Sequence, residues 1–286
     1  MQTSGLFTLH KCTIPVPAVN ESIRLVFFGD VHRDSPNFAD SHWHDFLAYA
    51  KGLKNAWFIG MGDYLDATST SERECLSGAH KLHETIKWDL EKLTDEKVKM
   101  MARELDFMRG RIIGFLNGNH YYDYQSGMNS DQKLCDKLGC KYLGVSSFIR
   151  VDFICNNTHI PFDIWAHHGA GGARLVGGDI NRVDQMRECA DADVYAMGHT
   201  HKRGCVPANP KLRLDNDRGV LKLEERQQWL LRTGSFLKAY EDGKVSYNVD
   251  AARGPCSLGH VELEVTWRRR DEAKKAFRWL QVRGIS

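Results

Sequence analysis

The chain has 286 residues, with 39 Lys+Arg against 37 Asp+Glu and a formal net charge of +2, too even a balance for charge alone to name a polyanionic partner. That length suits one large domain with insertions and a sizeable core (1–286) rather than two independent ones. No basic stretch leads into an apolar run from Met1 to Gly5, and runs such as Leu25 to Phe28 are too short to span a bilayer, so a cytoplasmic chain with no membrane partner is expected. The 8 cysteines are scattered without a Cys-x-x-Cys pair, which points to reduced thiols rather than zinc knuckles or a disulfide framework.

In chain order, Ile23 to Phe28 is a buried apolar run that ends at Gly29-Asp30-Val31-His32. Trp43, Phe46, Leu47 and Ala50 then keep helical spacing up to Lys54, as the crossover of a βαβ unit should. Ala56 to Ile59 is a second buried strand, running into Gly60 with Gly62-Asp63 just beyond. The 67–110 region is a helical insertion between the second and third strands, with apolar positions such as Ile86, Leu90, Val98 and Met101 among many charges. Its residues predict either two helices on the sheet face or a cap over the strand ends.

Ile112 to Leu116 forms the third strand and meets Asn117-Gly118-Asn119-His120. Phe162 to Ala166 forms the fourth and meets His167-His168-Gly169, followed by a glycine-rich stretch to Gly178 that lacks a Walker Gly-Lys-Ser/Thr and reads as a mobile loop. Val194 to Met197 forms the fifth and meets Gly198-His199-Thr200-His201. Beyond it, Trp229 to Arg232 and the alternating His260 to Trp267 predict antiparallel strands half exposed to solvent. The 258–286 segment is expected to be a strand and a basic tail, the tail reading as a solvated helix.

Open α/β sheets bind ligands beyond the carboxyl ends of their strands. Here every such end carries metal-capable residues: Asp30 and His32, Asp63, Asn119, His167 or His168, and His199 and His201. At these extended strand ends Asp30 and His32 fall on one side of the chain, as do His199 and His201. Mixed oxygen and nitrogen donors without thiolate suit Mn²⁺, Fe, Zn²⁺ or Ni²⁺ better than Mg²⁺ or Ca²⁺, and there are enough donors for two ions.

The blocks Gly29-Asp30-Val31-His32, Gly62-Asp63-Tyr64-Leu65-Asp66, Gly118-Asn119-His120, His167-His168-Gly169 and Gly198-His199-Thr200-His201 resemble the calcineurin-like metallophosphoesterase superfamily, over roughly residues 22 to 236. The resemblance implies an α/β fold, a two-sheet mixed β-sandwich flanked by α-helices. It implies that Asp30, His32, Asp63 and His201 hold one divalent ion, Mn²⁺ foremost, and that Asp63, Asn119, His167 and His199 hold the other. His120 would then protonate the leaving oxygen or steady the phosphoryl group, oriented by Asp66. Tyr121 departs from the acidic residue often found after the Asn-His pair. The His167-His168 doublet leaves the ligand open, with the family's His-x-Gly pattern favouring His167 and leaving His168 to point into the sheet or stand behind the ligands.

The implied function is phosphoester hydrolysis by a hydroxide bridging two ions, leaning to a phosphodiesterase of nucleotides or nucleic acid, a nuclease in its sharpest form. Arg33, Arg174, Lys202 and Arg203 are the candidate substrate contacts. The alternatives are a phosphomonoesterase or protein phosphatase, or a non-catalytic metal-binding scaffold. A scaffold would be expected to have lost ligands, and none is missing here.

Overall fold

The computed structural model describes residues 8–66, 83–172, 175–217, 219–240, 254–272 and 275–286. The strands β1 (Thr8–Pro15), β2 (Ser22–Phe28), β3 (Ala56–Gly60), β4 (Ile112–Phe115), β5 (Ser146–Cys155), β6 (Thr158–His167), β7 (Val194–Met197), β8 (Arg203–Asp217), β9 (Val220–Thr233), β10 (Val261–Glu272) and β11 (Lys275–Ile285) form two sheets. One has the order β1-β5-β6-β7-β9-β8 and the other β11-β10-β2-β3-β4. Both are mixed: β2, β3 and β4 run parallel with β10 antiparallel to β2, while β6, β7 and β9 run parallel with β8 antiparallel to β9.

Among the described residues the helices are α1 (Asp40–Gly52), α2 (Glu84–Glu104), α3 (Ser130–Leu138) and α4 (Val176–Cys189). Alternation along the strands builds three apolar layers. Leu25, Phe27, Ile59, Ile149, Val151, Ile164, Ala196 and Leu263 fill the space between the sheets. Val26, Phe28 and Phe58 face the other way, onto α1, α2 and α3. Trp165, Tyr195 and Leu230 point outward onto α4. The two-sheet sandwich flanked by helices is therefore present, with β1, β5, β8 and β11 added to the seven strands expected.

Several expectations need correction. The described part of the 67–110 insertion is a single long helix, α2, followed by one short 3-10 turn, Asp106–Met108, while 67–82 lies outside the described residues. Gly177 and Gly178 lie in the first turn of α4, not in a loop. The basic tail is a strand, not a helix: β11 pairs along its whole length with β10, and Leu280 and Val282, two residues apart, pack against the inter-sheet core. Alternate positions meeting the same core is a period of two, and the charges disguised it. The first seven residues of β10, Val261 to Trp267, are largely buried on both faces: Val261, Leu263, Val265 and Trp267 join the inter-sheet core, and on the other face Glu262 is answered by Arg24 at 2.8 Å and His260 at 2.8 Å. No described helix is long and apolar enough to cross a membrane.

Candidate metal centre

At the carboxyl ends of the parallel strands the backbone turns left-handed. Asp30 (φ 48°), His32 (φ 48°), Asp63 (φ 53°), His199 (φ 72°) and His201 (φ 57°) are five of the eight described non-glycine residues with positive φ, and the other three are asparagines. Such a conformation costs on the order of 1–3 kcal/mol per residue and persists only where the surroundings dictate it. The expectation that Asp30/His32 and His199/His201 align along an extended strand is thus corrected: β2 ends at Phe28, and successive tight turns aim the side chains.

Backbone hydrogen bonds hold these turns together. The amides of Asp30, Val31 and His32 donate to the carbonyls of Gly62, Asp63 and Asp63 at 2.9, 2.8 and 3.1 Å. The Asp63 carboxylate accepts from the amides of Asn119 and His120 at 2.7 and 2.8 Å. Asp30 accepts from the His199 amide at 2.9 Å. Gly118 is required for this approach, since a Cβ there would overlap the Asp63 carboxylate.

The side chains converge as the donor groups Asp30/His32/His201 and Asp63/His168/His199, with a third, His32/Asp66/His120, sharing His32 with the first, the ligand atoms of each lying within 4.8 Å of one another. Asp63 stands between the first two, with one oxygen 3.2 Å from His168 Nε2 and 3.9 Å from His32 Nε2. The Asn119 side-chain oxygen lies 2.9 Å from His168 Nε2 and 2.7 Å from His199 Nδ1, which adds it to the second group. His32 Nε2 is buried without a hydrogen-bond partner, and its Nδ1 lies 3.1 Å from Asp66, so the unpartnered nitrogen faces the centre. An orphaned imidazole nitrogen among buried carboxylates suits a divalent cation.

Electrostatics point the same way. Burial pushes Asp30 up to about 6, although His168 and His32 act against it. Burial opposes charge on His168 too, yet Asp63 and Asp30 lift it to about 9. Burial and the neighbouring His168 lower His199 to about 4, and burial with His32 keeps His201 well below the usual imidazole range. Desolvated carboxylates and imidazoles so close together compete for a small number of protons, which a divalent cation would replace.

His168, not His167, belongs to the centre. Phe162, Ile164 and Ala166 face the inter-sheet core while Trp165 faces α4, so period two carries His168 to the inner face and His167 to the outer one. His168 is buried, its Nδ1 bound to the Met61 carbonyl at 2.7 Å, whereas His167 Nδ1 accepts from the Gly169 amide at 2.7 Å. The apolar alternation ahead of the doublet already held this signal.

His120 lies beside the first group. Its Nδ1 is 2.8 Å from Asp66 Oδ1, and its ring meets His32 edge-on at 4.8 Å. One oxygen of Asp66 therefore serves both imidazoles. Of the candidate substrate contacts, Arg33 is gripped by Glu104 (2.9–3.1 Å) and lies over Phe38, and Lys202 is 2.8 Å from Asp179. Arg203 is exposed at the start of β8, and Arg174 lies outside the described residues.

Sequence reasoning missed a buried support behind the His199–His201 turn. Arg232, 1% exposed, donates to the Thr200 hydroxyl and lies 3.4 Å from Asp179, which is fully buried in the first turn of α4. Asp131, also buried, accepts from the Gly118 amide at 3.0 Å. The separations, 53 residues for Arg232–Asp179, leave no local pattern to read.

No protein-family model and no curated protein matches the chain. Among solved structures it is similar to vacuolar protein sorting 29 from Cryptosporidium parvum, at 14% identity and TM-score 0.35, covering 92% of this chain and 99% of that one. It is also similar to a conserved uncharacterized protein, a predicted phosphoesterase, from Streptococcus pneumoniae, at 11% identity and TM-score 0.31, covering 91% and 98%. Likenesses this distant carry no weight for function, which must be read from the residues themselves.

Proposed function

We propose that the chain is a metal-dependent hydrolase of phosphoester bonds that works with two divalent transition-metal ions. The observation that carries this reading is the meeting of two donor groups at Asp63, with an Asp66-held imidazole, His120, at their edge. Asp30, His32, Asp63 and His201 would hold one ion, and Asp63, Asn119, His168 and His199 the other. When bound, such a pair neutralises phosphate oxygens and makes water acidic enough to act as a nucleophile at neutral pH.

The chain's own groups supply the rest. The Asp66 carboxylate, 2.8 Å from His120 Nδ1, would stabilise the doubly protonated ring whose Nε2–H is given to the departing alkoxide. The same carboxylate holds His32 with its Nε2 turned inward. Gly118 and the left-handed turns keep the donors in place without rearrangement. The lean towards phosphodiesters of nucleotides or nucleic acid rests on Arg203, an exposed cation two residues beyond the proposed ligand His201.

The test is a Mn²⁺-supplemented panel of a nitrophenyl monoester, a nitrophenyl diester, cyclic nucleotides, and single- and double-stranded DNA. Chelator-sensitive turnover that favours diesters is expected. Monoester turnover alone would overturn the diester reading. Bound metal with no turnover on any substrate would make the chain a metal-binding scaffold.

A further inference from the structure

The longest hairpin leaves the sandwich at the end away from the candidate centre. β9 pairs with β7 only from Trp229 onward, so Lys211–Asp217 of β8 and Val220–Arg226 of β9 pair with each other alone. The register sets Leu214 opposite Leu223 and Leu212 opposite Glu225, while Leu221, two residues from Leu223, shares their face. Those four leucines are 64% (Leu212), 70% (Leu214), 71% (Leu221) and 63% (Leu223) exposed. The opposite face carries Lys211, Arg213, Lys222, Glu224 and Arg226. The ribbon is therefore amphipathic, with its apolar face in water.

A two-stranded ribbon is marginal in water unless its apolar face is covered. Four leucines side by side make a patch on the order of 300–500 Å², the size of the largest apolar patch a typical monomer carries, which is often a functional surface. We propose that the leucine face is covered by the same face of a second copy of this chain, in a two-fold dimer that leaves both candidate centres open. The areas agree: a stable dimer buries about 800 Å² per partner, of which roughly 65% is apolar in homodimers, close to what the leucines supply. A patch built from one residue type is also complementary to itself under a two-fold axis. The charge pattern argues against other occupants. The leucine face bears Glu225 and no arginine or lysine, which disfavours nucleic acid, and it lacks the Trp and Tyr typical of membrane interfaces.

The test is light scattering or sedimentation of the full chain up to about 100 µM, with Leu214→Lys and the milder Leu223→Ser as variants. Wild type is expected at twice the mass of one chain, with Leu214→Lys weakening association by about 30-fold or more. Circular dichroism checks that each variant folds, and Leu223→Ser, which adds no charge, decides the matter if Leu214→Lys does not fold. A wild type monomeric throughout, or folded variants as dimeric as wild type, would overturn the proposal. So would a monomer that instead sediments with phosphatidylcholine vesicles, which would assign the face to lipid. Metal binding plays no part in these readouts, so the dimer and the metal-centre reading fail independently.

Discussion

The two ends of the sandwich use opposite physics. At the centre, the chain buries charge (Asp30, His32, Asp63 and His168) and holds five ligand candidates in left-handed turns, which destabilise the fold. At the far end, the β8–β9 ribbon is regular and unstrained, yet it exposes the leucines that would ordinarily stabilise a core. Both ends depart from what folding alone favours, and in both the departure marks a surface suited to something outside the chain: a cation pair at one, apolar surface at the other. Exposed leucines are tolerated singly, but buried carboxylates are not tolerated unpaired. The centre is therefore the end where small changes should have the larger effects.

The sharpest way to break the contrast is Asp63→Asn, which keeps the shape and removes the shared charge. It should lower phosphodiester turnover by ~10³-fold, the equivalent of several kcal/mol of lost charge stabilisation, whereas Leu212→Ser on the ribbon should leave turnover unchanged. Steady-state kinetics of both variants checks this, and equal effects would remove the distinction between the ends. Next in size, His120→Asn should cost about 10²–10⁴ in rate on a diester with a poor leaving group and much less on a nitrophenyl ester. Equal losses on the two substrates would remove the acid role from His120.

Thr200→Val tests the buried support. Without its hydroxyl, Arg232 no longer ties the turn between His199 and His201; metal affinity measured by calorimetry should fall about 10–100-fold, and the metal-free fold should lose about 1–3 kcal/mol because a buried guanidinium donor loses its acceptor. The smallest effect concerns pH. Burial raises Asp131 to about 7, from a value near 4 when unfolded. Its folded pKa lies above its unfolded one, so the wild type loses stability as pH rises from about 4 to about 7. Asp131→Asn, which still accepts from Gly118, escapes that loss. The variant should therefore gain on wild type in urea titrations between pH 5 and pH 8, and a constant gap would contradict the buried-charge account.

Much of the centre could be read from sequence because parallel strands are apolar on both faces, so a polar residue at the end of each run stands out. Asp30, Asp63, Asn119 and His199 all reach the centre in this way. The inward aim of Asp30 and His32 was expected for the wrong reason, since backbone handedness leaves no mark in residue type when the left-handed residue is Asp or His. The doublet at β6 was decided by parity, which Phe162, Ile164 and Ala166 already displayed. The tail was misread because its charges outnumber the residues that keep period two, and the leucines of β8 and β9 join only once the hairpin pairs them. Arg232, Asp179 and Thr200 are too far apart along the chain for any local pattern to connect them.

The central claim is that two cations share Asp63. Counting divalent metal per chain after equilibration with Mn²⁺ and desalting tests it most directly. Two ions are expected in the wild type and no more than one in Asp63→Asn, whereas a wild-type chain that keeps none, or an Asp63→Asn chain that keeps two, would rule out a shared Asp63.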